Sequence, residues 1–371
     1  MSVKVVIALN TAWNLINFRS NLIRELVKNN FSVIAIAPDD KYSYKLSELG
    51  CRFIPFPMDN QGTNPFQDLL LLYRFWRLLR NERPNIYLGY TVKPNIFGSL
   101  AAHTLGIPVI NNITGLGAAF IKGGWLASLI TYLYRLSLSK SSKVFFQNPD
   151  DLRVFIHSGI VKANVIDLLP GSGVDLSKFK LEAVKMPLRR RFRILLIARM
   201  LWDKGIGEFV ESARFIRKMK PEVEFCLLGF LDIQNPAAIT RKQIDHWVSE
   251  GVVIYLGEAT DVRSHIADAD CVVLPSYREG TPRVLLEAAA MGRPIVTTDV
   301  EGCREVVDDG LNGFLCRPRD AEDLTRKLEK ILNLSLSERI AMGLNGRLKM
   351  VKEFDEKIVI KKYLDSIKEI L

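Results

Sequence analysis

The stretch CVVLPSYREGTPRVLLEAAAMGRPIVTTD, residues 271–299, changes its periodicity twice. CVVLPS (271–276) is a short continuous apolar run, the pattern of a strand buried on both faces. Thr281 and Pro282 then supply an N-cap and a first helical residue, an apolar segment runs to Met291, and Gly292 ends it. PIVTTD (294–299) returns to a buried strand. Strand, helix and strand in this order predict parallel pairing, because parallel neighbours need a helical crossover. The same rhythm extends outward. RILLIA (193–198), EFCLLG (224–229) and VVIYLG (252–257) precede it as further strands. Earlier still come VKVVIAL (3–9), FSVIAIA (31–37), NIYLGY (85–90), IPVINNI (107–113), KVFFQN (143–148) and NVIDLLP (164–170), with helices over segments such as 18–29 and 66–80. The break at Pro170-Gly171-Ser172-Gly173 and a charged stretch up to Arg193 separate the two sets. The predicted fold is α/β, with two doubly wound Rossmann-like domains, 1–180 and 186–354, facing across a cleft. Ligands bind beyond the carboxyl ends of such strands, so the site belongs in that cleft. The final segment, 355–371, reads as a lone amphipathic helix.

Bulk properties agree with two folded domains. The 371 residues exceed one ordinary core, which stops growing near ~250–300 residues. Hydrophobic content of 48% with 25% charged residues is globular throughout. Cys51, Cys226, Cys271, Cys303 and Cys316 show no CxxC spacing, so small buried hydrophobes in a reducing compartment are expected, with neither disulfides nor zinc. MSVKVVIALN reads as a first strand without the marks of a signal peptide, which points to the cytoplasm. No apolar run is long enough to span a bilayer; the longest candidate, 125–138, contains Ser128, Thr131 and Arg135. Of the net charge of +10, residues 1–185 carry +9 and residues 186–371 carry +1. That positive field suits nucleic acid, anionic lipid or a phosphorylated small molecule.

Several side chains carry chemistry. Arg199 and Lys204 lie in RMLWDKG, just past the strand ending at Ala198 and before a helix, as a diphosphate clamp would require; two solvated surface cations are the alternative. The chain has no GxxxxGK[ST] and no GxGxxG after its first strand. Gly115 and Gly117 allow close backbone approach to a phosphate. Glu279 stands in the loop before the helix over 282–291, whose Gly280, Thr281, Pro282 and Arg283 bring backbone amides towards an anion or sugar hydroxyls. Glu287 is in the helix itself, which is otherwise apolar apart from Arg283. A buried carboxylate needs donors on both oxygens, either from a vicinal diol such as a ribose or from an ion pair with a nearby arginine. His103, His157, His246 and His265 have packing or surface readings.

These residues resemble a family. Glu279-x7-Glu287 within EGTPRVLLEA, Arg199 with Lys204-Gly205, and GSGVDLSKF at 171–179 are similar to the retaining nucleotide-sugar glycosyltransferases of family four, with the GT-B fold, over nearly the whole chain. IARMLWDKGIGEF, VLPSYREGTP and NFRSNLIREL resemble in particular the bacterial enzymes that add N-acetylgalactosamine to an undecaprenyl-diphosphate-linked sugar. The resemblance implies that Glu279 contacts the hydroxyls of the donor sugar, Glu287 the ribose, and Arg199 and Lys204 the diphosphate of a UDP-sugar. It implies a donor domain at 186–354, an acceptor domain at 1–180 joined by the crossing helix 355–371, and a front-face reaction with neither metal nor cofactor. Two departures stand out: the first strand-helix loop, NTAWNLIN, lacks the family's paired glycines, and Ile113-Thr114 stands where many members have histidine.

The expected acceptor is a lipid-linked diphosphate sugar, with Lys93 and Lys122 as candidates for its diphosphate beside Gly115 and Gly117. FQDLLLLYRFWRLLR (66–80) sets Arg74, Arg77 and Arg80 on one side and Leu69, Leu72, Trp76 and Leu79 on another, and 121–140 adds a second apolar stretch. With the positive first half they suggest peripheral docking on the cytoplasmic face of the inner membrane; two packing helices of the first domain with solvated basic edges are the alternative. The rivals are a soluble-acceptor transferase, an epimerase or hydrolase of the same fold, and a nucleic-acid binder, the last disfavoured because no recognised module is present.

Overall fold

The computed structural model describes residues 2–59, 64–115, 124–181, 191–231 and 235–371. They form two compact units, Met1–Ser172 with Lys357–Leu371, and Gly173–Glu356. The division falls just before Gly173, so GVDLSKF belongs with the second unit.

In the first unit a seven-stranded parallel sheet has the order β3-β2-β1-β4-β5-β6-β7. Its strands are β1 (Lys4–Ala8), β2 (Ser32–Ala37), β3 (Arg52–Pro55), β4 (Ile86–Tyr90), β5 (Val109–Ile113), β6 (Lys143–Phe146) and β7 (Ile166–Leu168). Val6 and Ala8 pack in one core layer while Val5 and Ile7 pack in the other, so the continuous apolar run buries both faces. The helices are α1 (Ala12–Lys28), α2 (Tyr44–Ser47), α3 (Pro65–Glu82), α4 (Ser99–Thr104), α5 (Gly124–Leu138) and α6 (Pro149–His157). α1 starts earlier than 18–29: Thr11 Oγ1 accepts the Asn14 amide at 3.0 Å, and most of NTAWNLIN is helix, not loop. Strand β3 was not predicted, because RFIP lies half-exposed at the sheet edge and carries no long apolar run.

The second sheet runs β10-β9-β8-β11-β12-β13, again parallel. It comprises β8 (Arg193–Ile197), β9 (Glu224–Leu228), β10 (Ile254–Tyr255), β11 (Cys271–Leu274), β12 (Ile295–Thr298) and β13 (Gly313–Cys316), the last unpredicted because GFLC is a half-exposed edge strand without a long apolar run. Around it lie α7 (Ile206–Met219), α8 (Arg241–Ser249), α9 (Arg263–Ala267), α10 (Arg283–Ala290), α11 (Ala321–Asn333) and α12 (Leu336–Lys349). The last helix, α13 (Glu356–Ile370), packs on the first sheet: Tyr363 and Ile367 are buried among Val5, Ile7 and Tyr90. Its Tyr363 hydroxyl accepts Asn112 Nδ2 at 2.8 Å, and Lys362 Nζ reaches Asp167 Oδ1 at 2.8 Å. Where the chain leaves and returns, Val174 N donates to Phe354 O (2.8 Å) and Glu356 N to Val174 O (3.2 Å). Gly173 is required there, since at its φ of +70° a Cβ would lie 2.4 Å from Glu356 Cα. All five cysteines are buried and free.

Candidate active site

The loops after β8 and β11 hold the side chains expected to meet a donor, and hydrogen bonds join one loop to the other. After β8, residues 198–205 end in Gly205 at φ +72°, where a Cβ would stand 2.0 Å from the Pro275 carbonyl oxygen. The short turn Trp202–Lys204 therefore presses against the β11 loop. That loop returns the contact, with the Tyr277 amide (2.9 Å) and Ser276 Oγ (3.2 Å) both donating to the Asp203 carbonyl. These bonds bring Lys204 Nζ to 2.5 Å from Glu279 Oε1, with the two side chains 15% and 16% exposed. Two positions predicted as separate diphosphate and sugar ligands thus form one charge-assisted pair.

From below, Gly302 supports this pair. At φ +79° its Cβ position would be 2.3 Å from Gly280 O, and the Glu279 amide donates to Glu301 O at 3.3 Å. Burial, and secondarily the charge of Glu279, pushes the Cys303 thiol upward and keeps it neutral beneath the pair. Beside it the Tyr277 hydroxyl donates to Glu208 Oε1 at 2.7 Å, and Arg319 lies 4.7 Å from the ring centre. Burial, then the Glu208 bond, holds this phenol protonated. Sequence reasoning missed Glu208 and Gly302. Glu208 stands one helical turn past Lys204 in WDKGIGEF, a usable signal; nothing in the sequence singles out Gly302.

Arg199 is exposed past the end of β8 and has no ion-pair partner among the described residues. Glu287 is buried within α10, and Arg283 Nε lies 2.8 Å from its Oε1. Burial pushes its carboxyl upward, while Arg283 opposes that shift. Arg283 thus meets one of the two Glu287 carboxylate oxygens. The helix starts one residue later than expected: Pro282, at ψ 114°, is the cap residue outside α10, which displaces Thr281 from the N-cap. The C-terminal end of α10 is fastened by Arg347, whose Nη1 donates to Ala290 O (2.8 Å) and to Phe179 O (2.6 Å).

Of the acceptor-side candidates, Lys93 is paired with Asp68 at 2.8 Å and is 14% exposed, so its charge is already matched. Gly115 has φ +140°, a conformation natural to glycine. Gly117 and Lys122 lie outside the described residues.

Two Rossmann-like sheets with these paired loops constitute the GT-B architecture of glycosyltransferases. Solved structures share it end to end: sucrose-phosphate synthase from Thermosynechococcus elongatus (TM-score 0.82, 18% identity, 99% of each chain) and Anabaena HepE in complex with UDP-glucose (0.79, 17%, 99% of each). Residues 17–171 match the family described as "Glycosyl transferase 4-like domain" and 191–334 the one described as "Glycosyl transferases group 1". The chain is 31% identical over 364 residues, 94% of each protein, to the N,N'-diacetylbacillosaminyl-diphospho-undecaprenol alpha-1,3-N-acetylgalactosaminyltransferase of Campylobacter jejuni. It is 25% identical over 320 residues, 82% of this chain and 79% of the relative, to an Escherichia coli UDP-Gal:alpha-D-GlcNAc-diphosphoundecaprenol alpha-1,3-galactosyltransferase. The chain belongs to this glycosyltransferase family.

Proposed function

We propose that this enzyme moves a hexose or N-acetylhexosamine, N-acetylgalactosamine first among them, from a UDP-sugar to an undecaprenyl-diphosphate-linked sugar in bacterial glycan assembly. The observation that carries this reading is the end-to-end similarity to a transferase named for that reaction. The second unit binds the donor. There Glu279 takes the sugar hydroxyls, Glu287 the ribose, and Arg199, Lys204 and the α10 N-terminus, through Gly280, Thr281, Pro282 and Arg283, the diphosphate. The first unit binds the acceptor.

Reaction proceeds with retention on one face of the donor sugar. The bond from the anomeric carbon to the diphosphate breaks, the acceptor oxygen bonds to the same face, and its proton passes to the leaving phosphate oxygen. Fixed cations and a helix terminus meet the growing negative charge, with no metal or cofactor in the step. Lys204 is then shared: it neutralises Glu279 before the donor arrives and turns to the diphosphate once sugar hydroxyls occupy Glu279. No described helix is long and apolar enough to cross a membrane. Exposed apolar residues on α3 and α5 support the reading that the enzyme docks peripherally on a membrane, at the cytoplasmic leaflet where its nucleotide-sugar donor would be found.

The test combines a thermal-shift screen of nucleotide sugars with turnover on a short-chain polyprenyl-diphosphate sugar and NMR assignment of the product anomer. The expected result is stabilisation by a UDP-sugar and an α-linked product formed equally well in EDTA. Turnover lost in EDTA and restored by magnesium or manganese would assign the charge stabilisation to a metal. Donor consumption independent of acceptor would make the protein a hydrolase or epimerase.

A further inference from the structure

At the carboxyl ends of β2 and β3, against α3, the first unit has a hollow of about 540 Å³ lined in part by Asp39, Met58, Asp59, Leu70, Arg74 and Lys93. Its volume falls in the range of small-molecule sites, about 300–1,000 Å³. Two carboxylates, Asp39 and Asp59, and two cations, Arg74 and Lys93, line it, and Lys93 is further neutralised by Asp68 at 2.8 Å. Such a rim has no surplus of positive charge and does not suit a bare diphosphate. It suits a neutral ligand with many hydroxyls, which carboxylates accept, and an apolar C–H face, which Met58 and Leu70 cover.

One wall of the hollow continues into an apolar surface. Leu70, 45% exposed, belongs also to the stripe of Phe66 (85%), Leu69 (65%) and Tyr73 (54%) along α3. Arg74 stands on the same helix beside Tyr73. Its Nη1 donates to Pro57 O at 3.3 Å, and it has no carboxylate partner among the described residues. The hollow, a cation without a carboxylate partner and an apolar stripe thus overlap within residues 66–74 of one helix.

We propose that this hollow is the acceptor-saccharide subsite, in which Asp39 accepts hydroxyls of the acceptor sugar, Leu70 and Met58 cover its C–H face, and Arg74 holds the diphosphate that joins the sugar to its lipid. The assignment rests on the lipid-linked-acceptor reading and deepens it. Arg74 takes the role first considered for Lys93.

The test is acceptor kinetics in Leu70→Trp, Asp39→Asn and Arg74→Gln, all at exposed positions. The acceptors are a short-chain polyprenyl-diphosphate sugar and the methyl glycoside of the same sugar; donor affinity and vesicle binding are measured in parallel. Leu70→Trp and Asp39→Asn are expected to raise KM at least tenfold for both acceptors, with donor affinity unchanged in both and vesicle binding unchanged in Asp39→Asn. Arg74→Gln is expected to raise it for the diphosphate acceptor alone. A KM within twofold of wild type in both hollow variants overturns the subsite, as does loss of vesicle binding that accompanies the KM change in Asp39→Asn. If the wild type uses the methyl glycoside as well as the lipid diphosphate, the lipid-acceptor reading fails. Leu70→Trp then still decides the hollow through its KM for the methyl glycoside.

Discussion

Lys204 and Glu279 occupy each other at 2.5 Å with most of both side chains covered. Such a pair has two explanations, a structural tie between loops or two ligands of one substrate in waiting, and they separate under double substitution. Removing either partner leaves the other charge partly desolvated and unmatched, which costs stability in both cases. Lys204→Met and Glu279→Gln are each expected to lower kcat/KM by about 10²–10³, the scale of losing one preorganised charge contact. If the pair were only a tie, the double variant, which leaves no orphan charge, would recover most of the activity. The expected outcome is recovery of thermal stability without recovery of turnover. His103 on α4 supplies a second residue-scale outcome. Its Nε2 is buried without a partner. Burial, with the Lys140 charge second, lowers its pKa from 6.5 to about 4. The unfolded chain then binds the proton more tightly, so stability is full above pH 6.5 and falls as pH drops from there towards 4. Urea midpoints measured from pH 7.5 to 4.5 should fall less steeply in His103→Gln; parallel curves for the two proteins would refute this.

At the scale of elements, the proposed donor site is two loops held in contact by glycines. Gly205 is the sharpest case, because its φ is +72° and a Cβ would meet Pro275 O at 2.0 Å. Gly205→Ala must therefore push the Lys204 turn away from the β11 loop. Gly251→Ala separates the two contributions: Gly251 has φ +70° but open space around its Cβ position. We expect Gly251→Ala to lower stability by about 1 kcal/mol, the cost of the left-handed conformation alone, with turnover intact. Gly205→Ala should cost more and abolish most turnover; equal behaviour of the two variants would remove the contact from the mechanism. The same elements show what was readable beforehand. Doubly buried strands announce themselves as apolar runs, so β1, β2, β4, β8 and β11 were legible with the residues at their ends, among them Arg199, Lys204 and Glu279. Edge strands β3 and β13 were not, since half-exposed four-residue strands have no such signature. Nor was the link between Lys204 and Glu279 legible, because a contact across 75 positions depends on how two loops pack. Pro282 misled the helix start because proline suits both the first helical turn and an extended cap residue.

Net charge is unevenly distributed along the chain, +9 over residues 1–185 and +1 over 186–371, and two helices of the first unit carry rows of exposed apolar side chains. The sequence suggested that α3 would present Leu69, Leu72, Trp76 and Leu79 together. The structure corrects this: Leu79 is buried with Leu71 and Phe75, and the exposed stripe is Phe66, Leu69, Leu70 and Tyr73. On α5 the exposed apolar residues are Trp125, Leu129, Tyr132 and Leu136. α3 and α5 both pack against the segment formed by Pro94–Gly98 and α4. Exposed apolar rows on helices of one layer are costly in water and are explained by a surface that covers them. The +9 charge of residues 1–185, with Arg74, Arg77 and Arg80 exposed on α3, is what the proposed cover, an anionic lipid surface, would attract. Each well-placed cation there is worth about 1 kcal/mol, and the term fades with salt, whereas inserted aromatic rings are insensitive to it. Sedimentation with vesicles containing anionic lipid at low salt is therefore expected to carry the protein down, and neutral vesicles to carry down much less. Phe66→Ser with Trp125→Ser should weaken binding at every salt concentration, while Arg77→Gln with Arg80→Gln should weaken it only at low salt. Binding that ignores lipid charge, or survives all four substitutions, would leave these rows to a protein partner and the enzyme to a soluble acceptor.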